Sequence, residues 1–392
     1  MTAGAGRRLL MIEQGGRGGV SDYTAELVTA LAAEGWAVTL ATAADHRFAQ
    51  LDGVKVEPVF HYTRGRTRLA RALRAYRLGK LANGLRFLAA LPRLMRLARR
   101  ADIVHSQGWE IPQLGPLAVA CLYLTGTPIV QTEHGTFDRT LASSFLRTGL
   151  LARRLTGRLA VRTIVHTQAD LARMTPLLGD RAVVIPHGEY GGLARSGGGA
   201  EREDARAELG VAPDAPATLM FGQLRTDKGL DDLVAAVKQV PGLHLLIGGQ
   251  DIGGLTAVRE RLDTLAGCLT VREGFLDMRE TAKLFAAADT VALPYKEASQ
   301  SGVLLLAYGF SRPVIVYPSG GMVEAVIDGE TGWVCARSDV EALREALAAS
   351  VEAGAQECLR RGLAGSRLAN ERFGWPTIAR RTVELYEQVL AG

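Results

Sequence analysis

The chain of 392 residues has no apolar run approaching the roughly 20 residues that cross a bilayer. Its start, "MTAGAGRRLLMIEQGG", lacks the apolar h-region of a signal peptide and reads as the lead-in to a first strand. Cysteine is scarce. Cys121, Cys268, Cys335 and Cys358 are scattered without CxxC spacing, which argues against a disulfide framework or a zinc site and points to reduced thiols in a cytoplasmic protein. Aromatic residues make up only 6% of the chain, and base-stacking rings do not interleave with the basic residues as a nucleic-acid surface requires. Acidic residues are missing altogether between Arg64 and Arg100, a span holding twelve basic ones. Lysine is rare as well, at six in the chain, so the net charge of +5 rests on arginine.

What is present is apolar material for two cores: 47% of the residues are hydrophobic, and the length suits two domains of roughly 150–200 residues. Short apolar strands alternate with amphipathic helices, the signature of βαβ units. The first run is a strand at Leu9–Ile12, a glycine-rich loop, and a helix with Ser21 as N-cap and Gly35 as stop. The pattern recurs through "ADIVHSQG", "TPIVQTEHG", "RTIVHT" and "AVVIPHG", giving about six parallel strands to near Gly188. "GEYGGLARSGGGAERED" reads as a flexible linker. A second series of five strands follows, and "GGMVEAVID" reads as a helix. The expected architecture is α/β: Rossmann-like doubly wound domains over 1–190 and 191–373, with a terminal helix at 374–392 packing back on the first domain. Open α/β sheets bind ligands at the carboxyl ends of their strands, so the expected site is a cleft between the two sheets.

Two turns carry the chemistry. "GQLRTDKGLDDLV" places Arg225 and Lys228 after a strand and before a helix starting near Gly229. Two cations beside a helix N-terminus suit a diphosphate; a solvated basic loop is the alternative. "YKEASQSGVLLLAYGF" places Ser299, Gln300, Ser301 and Gly302 between a strand and an apolar helix. Hydroxyls, free amides and the helix dipole there favour an anion; simple N-capping by Ser299 or Ser301 is the alternative. His105, His134, His166 and His187 all end apparent strands, where a lone histidine is usually a structural hydrogen-bonder. No metal cluster and no Ser/His/Asp triad is legible.

Taken together, "FGQLRTDKGLDDLVAAV", "ADTVALPY", "SGVLLLAYGFSRPVIVYPSGGMVEAVIDGETGWV" and "FGWPTIA" resemble the C-terminal domain of retaining glycosyltransferases of family 4, which have the GT-B fold. "GGRGGVSDYTAELVTALAAEGWAVTLAT", "ADIVHSQG", "PIVQTEHGT" and "VVIPHG" resemble the N-terminal half of the same family. The resemblance implies that Arg225 and Lys228 hold the donor diphosphate, and that the amides around Ser301, Gly302 and Val303 cradle it. Gly18 and Gly19 would let the N-terminal loop approach donor and acceptor, and Gly222 would sit under the cleft. His134, with Glu133, Gly135 and Thr136 around it, matches the family's histidine near the transferred sugar. Phe275 and Leu276 fall where its base pocket forms. No metal or other cofactor is implied.

One departure stands out. Family members carry two glutamates eight positions apart, and aligned on "RPVIV" these fall on Ala298 and Leu306; Glu297 is one residue off that register. The chain resembles a variant branch with an SxSGV turn. The implied function is retaining transfer from a nucleotide sugar, UDP- or GDP-linked, to a glycan, lipid-linked sugar or natural-product acceptor. A non-catalytic nucleotide-sugar binder, or a hydrolase or epimerase on the same fold, remains open. A nucleotide-dependent oxidoreductase fits less well, because "GGRGGVS" has Ser21 where G-x-G-x-x-G needs its third glycine. The arginine-rich stretches "TRGRTRLARALRAYRLGK" and "RTGLLARRLTGRLAVR" suit peripheral contact with an anionic membrane or an anionic soluble acceptor; a solvated basic face is the plain alternative.

Overall fold

The computed structural model describes residues 6–48, 50–62, 79–109, 112–134, 152, 154–196, 198–298 and 300–392. Ser299, the basic stretch 63–78 and most of residues 135–153 lie outside the described residues. The chain forms two compact units, one of the residues up to Gly188 with Trp375–Gly392, the other of Glu189–Gly374.

The first unit holds β1 (Arg8–Ile12), β2 (Ala37–Ala43), β3 (Val54–Phe60), β4 (Ile103–Ser106), β5 (Ile129–Thr132), β6 (Arg162–Val165) and β7 (Ala182–Val184). They pair in parallel in the order β3-β2-β1-β4-β5-β6-β7. Both faces of a parallel sheet are covered, and β4 and β5 are buried at every position, their polar His105, Ser106, Gln131 and Thr132 included. The strand beyond the expected six is β3. Its "VKVEPVF" mixes charge with Pro58, a composition that hides a strand and that an edge position tolerates.

The first helix runs Gly19–Ala33 and buries Tyr23, Leu27, Val28 and Leu31. It starts at Gly19 rather than after Ser21, with Gly18 as its N-cap. Ser21 is therefore inside the first turn, and its hydroxyl is buried without a hydrogen-bond partner. The last helix, Trp375–Ala391, packs Ile378, Ala379, Val383 and Tyr386 into the same apolar cluster as Leu27 and Val28.

The second unit holds β8 (Ala217–Phe221), β9 (His244–Gly249), β10 (Leu269–Glu273), β11 (Thr290–Leu293), β12 (Val314–Val316) and β13 (Gly332–Val334), all parallel, in the order β10-β9-β8-β11-β12-β13. The short β13 is the strand the sequence pattern did not reveal.

Two expectations are corrected here. The segment read as a flexible linker, residues 188–204, contains the helix Gly191–Ser196 and leads into the helix Arg202–Leu209. Arg206 pins it: the buried guanidinium donates to the carbonyls of Ala287, Ala212, Pro213 and Ala215 and to the Asp289 carboxylate. A charge-rich composition thus hides a buried anchor. "GGMVEAVID" forms only a 3-10 turn, Gly320–Glu324. Gly320 has φ +51°, and its α-carbon presses so closely on the Ala298 carbonyl that no side chain fits; the backbone contact fixes the turn before an α-helix can build.

In each sheet the first strand is central, and the order reverses between β1 and β4 and between β8 and β11. Ligand crevices of doubly wound sheets open at such points, outside the carboxyl ends of the strands.

Candidate functional site

The two turns singled out in the sequence leave β8 and β11, the pair that flanks the switch point of the second unit. Backbone packing holds them there. Gly222 N donates to Gly248 O at 2.9 Å, Leu224 N to Gln250 O at 2.8 Å, and Lys296 N to Asp227 O at 3.2 Å. Gly229, φ +71°, ends the 3-10 turn Thr226–Lys228 and lies so close to Pro294 that a Cβ would stand 2.0 Å from its carbonyl oxygen. Glycine is required at this position by both conformation and contact.

Within this frame the structure gathers Gly222, Arg225, Lys228, Ser301, Gly302 and Val303. The half-buried Lys228 sets its Nζ 3.4 Å from the centroid of the Tyr295 ring, a cation–π contact. Burial pushes the Tyr295 phenol up to about 12, against the opposing effect of a hydrogen bond with Ser301, so the ring stays neutral. Val303 Cγ2 lies 3.2 Å from where a Gly222 side chain would begin, which joins the two turns. Ser301 caps the helix Gly302–Gly309, its Oγ accepting from Leu304 N at 3.3 Å. The hydroxyl is thus engaged in capping, while the amides of Gly302 and Val303 occupy the first turn, where a helix supplies no carbonyl of its own.

Several details were not legible in the sequence. Arg225 and Lys228 were read as a cation pair, but Asp227 stands between them. Arg225 Nε and Nη2 donate to its two carboxylate oxygens at 2.9 and 3.2 Å, and Nη1 reaches Gln223 Oε1 at 3.1 Å. The glycine at 302 is explained by a protein neighbour: a Cβ there would sit 2.9 Å from the Tyr190 ring, and Tyr190 belongs to the supposed linker. Leu276 packs toward the end of β9, its Cδ1 3.4 Å from the Gly248 Cβ position. Phe275 instead projects outward, 86% exposed. Glu297 is exposed beside Lys296, whose ammonium pairs with Asp231 and Asp232 at 2.9 and 3.1 Å. Ala298 and Leu306, where the family's glutamates would fall, are buried in the apolar core of the unit.

The remaining predicted residues are in the first unit. The loop after β1 is braced by Glu13, whose carboxylate accepts from Gly15 N at 2.8 Å, Gly16 N at 2.7 Å and Thr42 Oγ1 at 3.1 Å. Gly18 and Gly19 are exposed at its end, with φ +83° at Gly18 and open space beside both. His134 follows β5, and it is not alone. His105 on β4, His166 after β6 and His187 after β7 stand beside it because these strands are neighbours in the sheet. Ring centroids are 5.1 Å apart for His134–His166 and 5.2 Å for His166–His187, and Tyr23 sits 4.9 Å from His134 and 4.7 Å from His187. Sequence reasoning treated the histidines one at a time; the signal that unites them is a histidine at the carboxyl end of four successive strands. Burial lowers the pKa of all four, His105 and His187 to about 3, so the cluster is neutral at pH 7.

Among the described residues no group of three or more His, Cys, Asp or Glu is placed to hold a metal ion, and no helix is long and apolar enough to cross a membrane.

Comparison with known proteins bears on the fold and the family. The profile of Glycosyltransferase Family 4 matches residues 17–188, and that of Glycosyl transferases group 1 matches residues 215–352. The D-inositol 3-phosphate glycosyltransferase of Xylanimonas cellulosilytica is 30% identical over 404 aligned positions, covering 95% of this chain and 92% of that protein. The chain superposes on sucrose-phosphate synthase from Thermosynechococcus elongatus with a TM-score of 0.73, at 21% identity, covering 98% and 99% of the two chains. It superposes on Anabaena HepE, solved in complex with UDP and glucose, with a TM-score of 0.71, at 20% identity, covering 97% and 99%. With two Rossmann-like units of the GT-B type and both halves matched, the chain belongs to the family 4 glycosyltransferases.

Proposed function

We propose that the protein is a retaining glycosyltransferase that moves a sugar from a nucleoside diphosphate sugar to a hydroxyl or amine acceptor, without a metal ion. The observation that carries this is the convergence, at the switch point of the second unit, of Lys228, Arg225 and the first-turn amides of Gly302 and Val303. Such a set neutralises a leaving diphosphate, the task a divalent cation performs elsewhere. Retention then follows from same-face attack assisted by the departing phosphate, and the protein contributes positioning and charge. His134 attends the sugar, as the family resemblance implies, and Leu276 contributes to the base pocket. Gly18, Gly19 and Gly222 keep their stretches of backbone open to the substrates.

A UDP-linked donor is the first to try, given the UDP bound by HepE; a GDP-linked donor is the next. For the acceptor, the similarity to D-inositol 3-phosphate glycosyltransferases and the arginine-rich first unit favour a hydroxylated, anionic molecule. Leu81, Leu85 and Leu88 lie exposed on one face of the helix Gly79–Ala98, which suits contact with a membrane carrying a lipid-linked acceptor. The buried Ala298 and Leu306 favour one second reading, a nucleotide-sugar binder that has lost catalysis.

The test is a thermal-shift panel of UDP, GDP, ADP and TDP against metal-free protein. A ligand at 100 times its dissociation constant adds roughly 2.7 kcal/mol, so one base should raise the midpoint by several degrees. No shift with any of the four contradicts the donor site.

A further inference from the structure

The hydrogen bonds that link the histidines have a direction, and it follows from elementary donor and acceptor rules. His166 Nδ1 lies 3.0 Å from the carbonyl oxygen of Ile185. A carbonyl only accepts, so Nδ1 carries the proton. A neutral imidazole has one N–H, which leaves His166 Nε2 with a lone pair. That nitrogen faces His134 Nδ1 at 3.3 Å, so the proton in this contact belongs to His134 Nδ1. His134 Nε2 is then bare.

On the far side of the chain this polarity requires the Gln107 carboxamide to turn, which gives up the contact of its Nε2 with Met11 Sδ at 3.2 Å. The Gln107 carboxamide meets His134 Nε2, with its Oε1 at 2.8 Å. Two acceptors cannot bond to each other, and a half-turn of the carboxamide, which exchanges its oxygen and nitrogen, gives Nε2–H donating to His134. The same half-turn brings Oε1 to the side of His105 Nε2, which lies 3.5 Å from the Gln107 nitrogen. His105 completes the sequence: the Tyr386 hydroxyl lies 2.5 Å from Nδ1 and Thr132 Oγ1 lies 2.7 Å from Nε2. Burial holds the Tyr386 phenol well above its ordinary pKa, so it keeps a proton with which to donate to Nδ1; His105 then carries its own proton on Nε2, directed at Thr132 Oγ1. One polarity then runs from the Gln107 amide through His134 and His166 to the Ile185 carbonyl.

The opposite polarity would require His166 to be an imidazolium. The groups packed round it are Tyr23, His134 and His187, with the Asp170 carboxylate further off. Burial outweighs the attraction of Asp170 and keeps the ring neutral.

We infer that His166 is a positioning residue that locks His134 as its Nδ1–H tautomer, with Gln107 holding the bare Nε2 in place. The consequence, which rests on the reading of His134 as the sugar-side residue, is that His134 meets substrate as an acceptor. A substrate hydroxyl can displace the Gln107 amide and donate to Nε2; a phosphate or ring oxygen, which has no proton to give, cannot.

The experiment is long-range 1H–15N correlation NMR on the full chain labelled with 15N-histidine, at pH 7.5 without ligands. The seven histidines are assigned by single His→Gln changes. His134 and His166 should show a protonated Nδ1 and a bare Nε2, and His105 the reverse. His134 protonated on Nε2, or His166 protonated on both nitrogens, overturns the inference in the unaltered protein. His166→Phe should let His134 shift toward the Nε2–H form, whereas His166→Gln, which keeps an accepting oxygen, should hold it; an unchanged His134 tautomer in a folded His166→Phe protein also overturns it. The spectra need no substrate, so they can fail in an active transferase or succeed in a protein that transfers nothing.

Discussion

Lys228→Ala is expected to weaken binding of the matching nucleoside diphosphate by between ten- and a hundredfold while leaving the fold intact. A hydrogen bond to a charged group contributes about 1.5–3 kcal/mol, and each 1.4 kcal/mol is about tenfold in affinity. Lys228 is half-buried over Tyr295, which limits both its mobility and its solvation. Arg225→Ala should behave differently. Its guanidinium is already paired with both oxygens of Asp227, so removing it uncovers a carboxylate beside the phosphates. The single change should therefore cost more than the lost contact, and Asp227→Ala added to it should recover part of the affinity. Titration calorimetry of the two single variants and the double variant reads the coupling directly. Unchanged affinity in both Lys228→Ala and Arg225→Ala would remove the diphosphate from this turn.

Acid should destabilise the first unit well before carboxylates titrate. His105, His134, His166 and His187 are held neutral by burial, their pKa values displaced downward from 6.5. Below pH 6.5 the unfolded chain binds protons that the folded one refuses, so stability falls as pH falls. The contribution is full above pH 6.5 and, for His105 and His187, is exhausted only near pH 3. Each histidine that charges only on unfolding contributes a slope of about 1.4 kcal/mol per pH unit. Urea midpoints measured from pH 8 to pH 5 should be flat at first and then drop steadily below pH 6.5, with a slope of several protons. A level profile down to pH 5 would mean that the cluster is charged or open to water in the folded state.

The parts of this structure that were readable in the sequence are those with a strong local period or a close backbone approach. Buried parallel strands such as "IVHS" and "IVQT" open on apolar pairs, and the turns after β8 and β11 announce themselves by basic residues, serines and glycines at strand ends. What stayed hidden depends on contacts between distant residues. β3 carries charge and a proline, which only its edge position permits. The segment 188–204 looks like a linker until Arg206, in the helix that begins at its end, is seen to reach five acceptors up to 83 residues away. Asp227 is two positions from Arg225 yet was passed over, because spacing alone does not tell whether a neighbouring carboxylate folds back on the arginine. The histidine cluster needed the strand order, which no single strand reveals.

The most direct test of the account is product analysis with the nucleotide sugar whose base raises the thermal midpoint, offered with a set of hydroxylated anionic acceptors. The account predicts release of the nucleoside diphosphate that depends on acceptor, and by NMR a product with the anomeric configuration of the donor. Tight donor binding with neither release nor product would contradict it and leave a binding protein in place of a transferase.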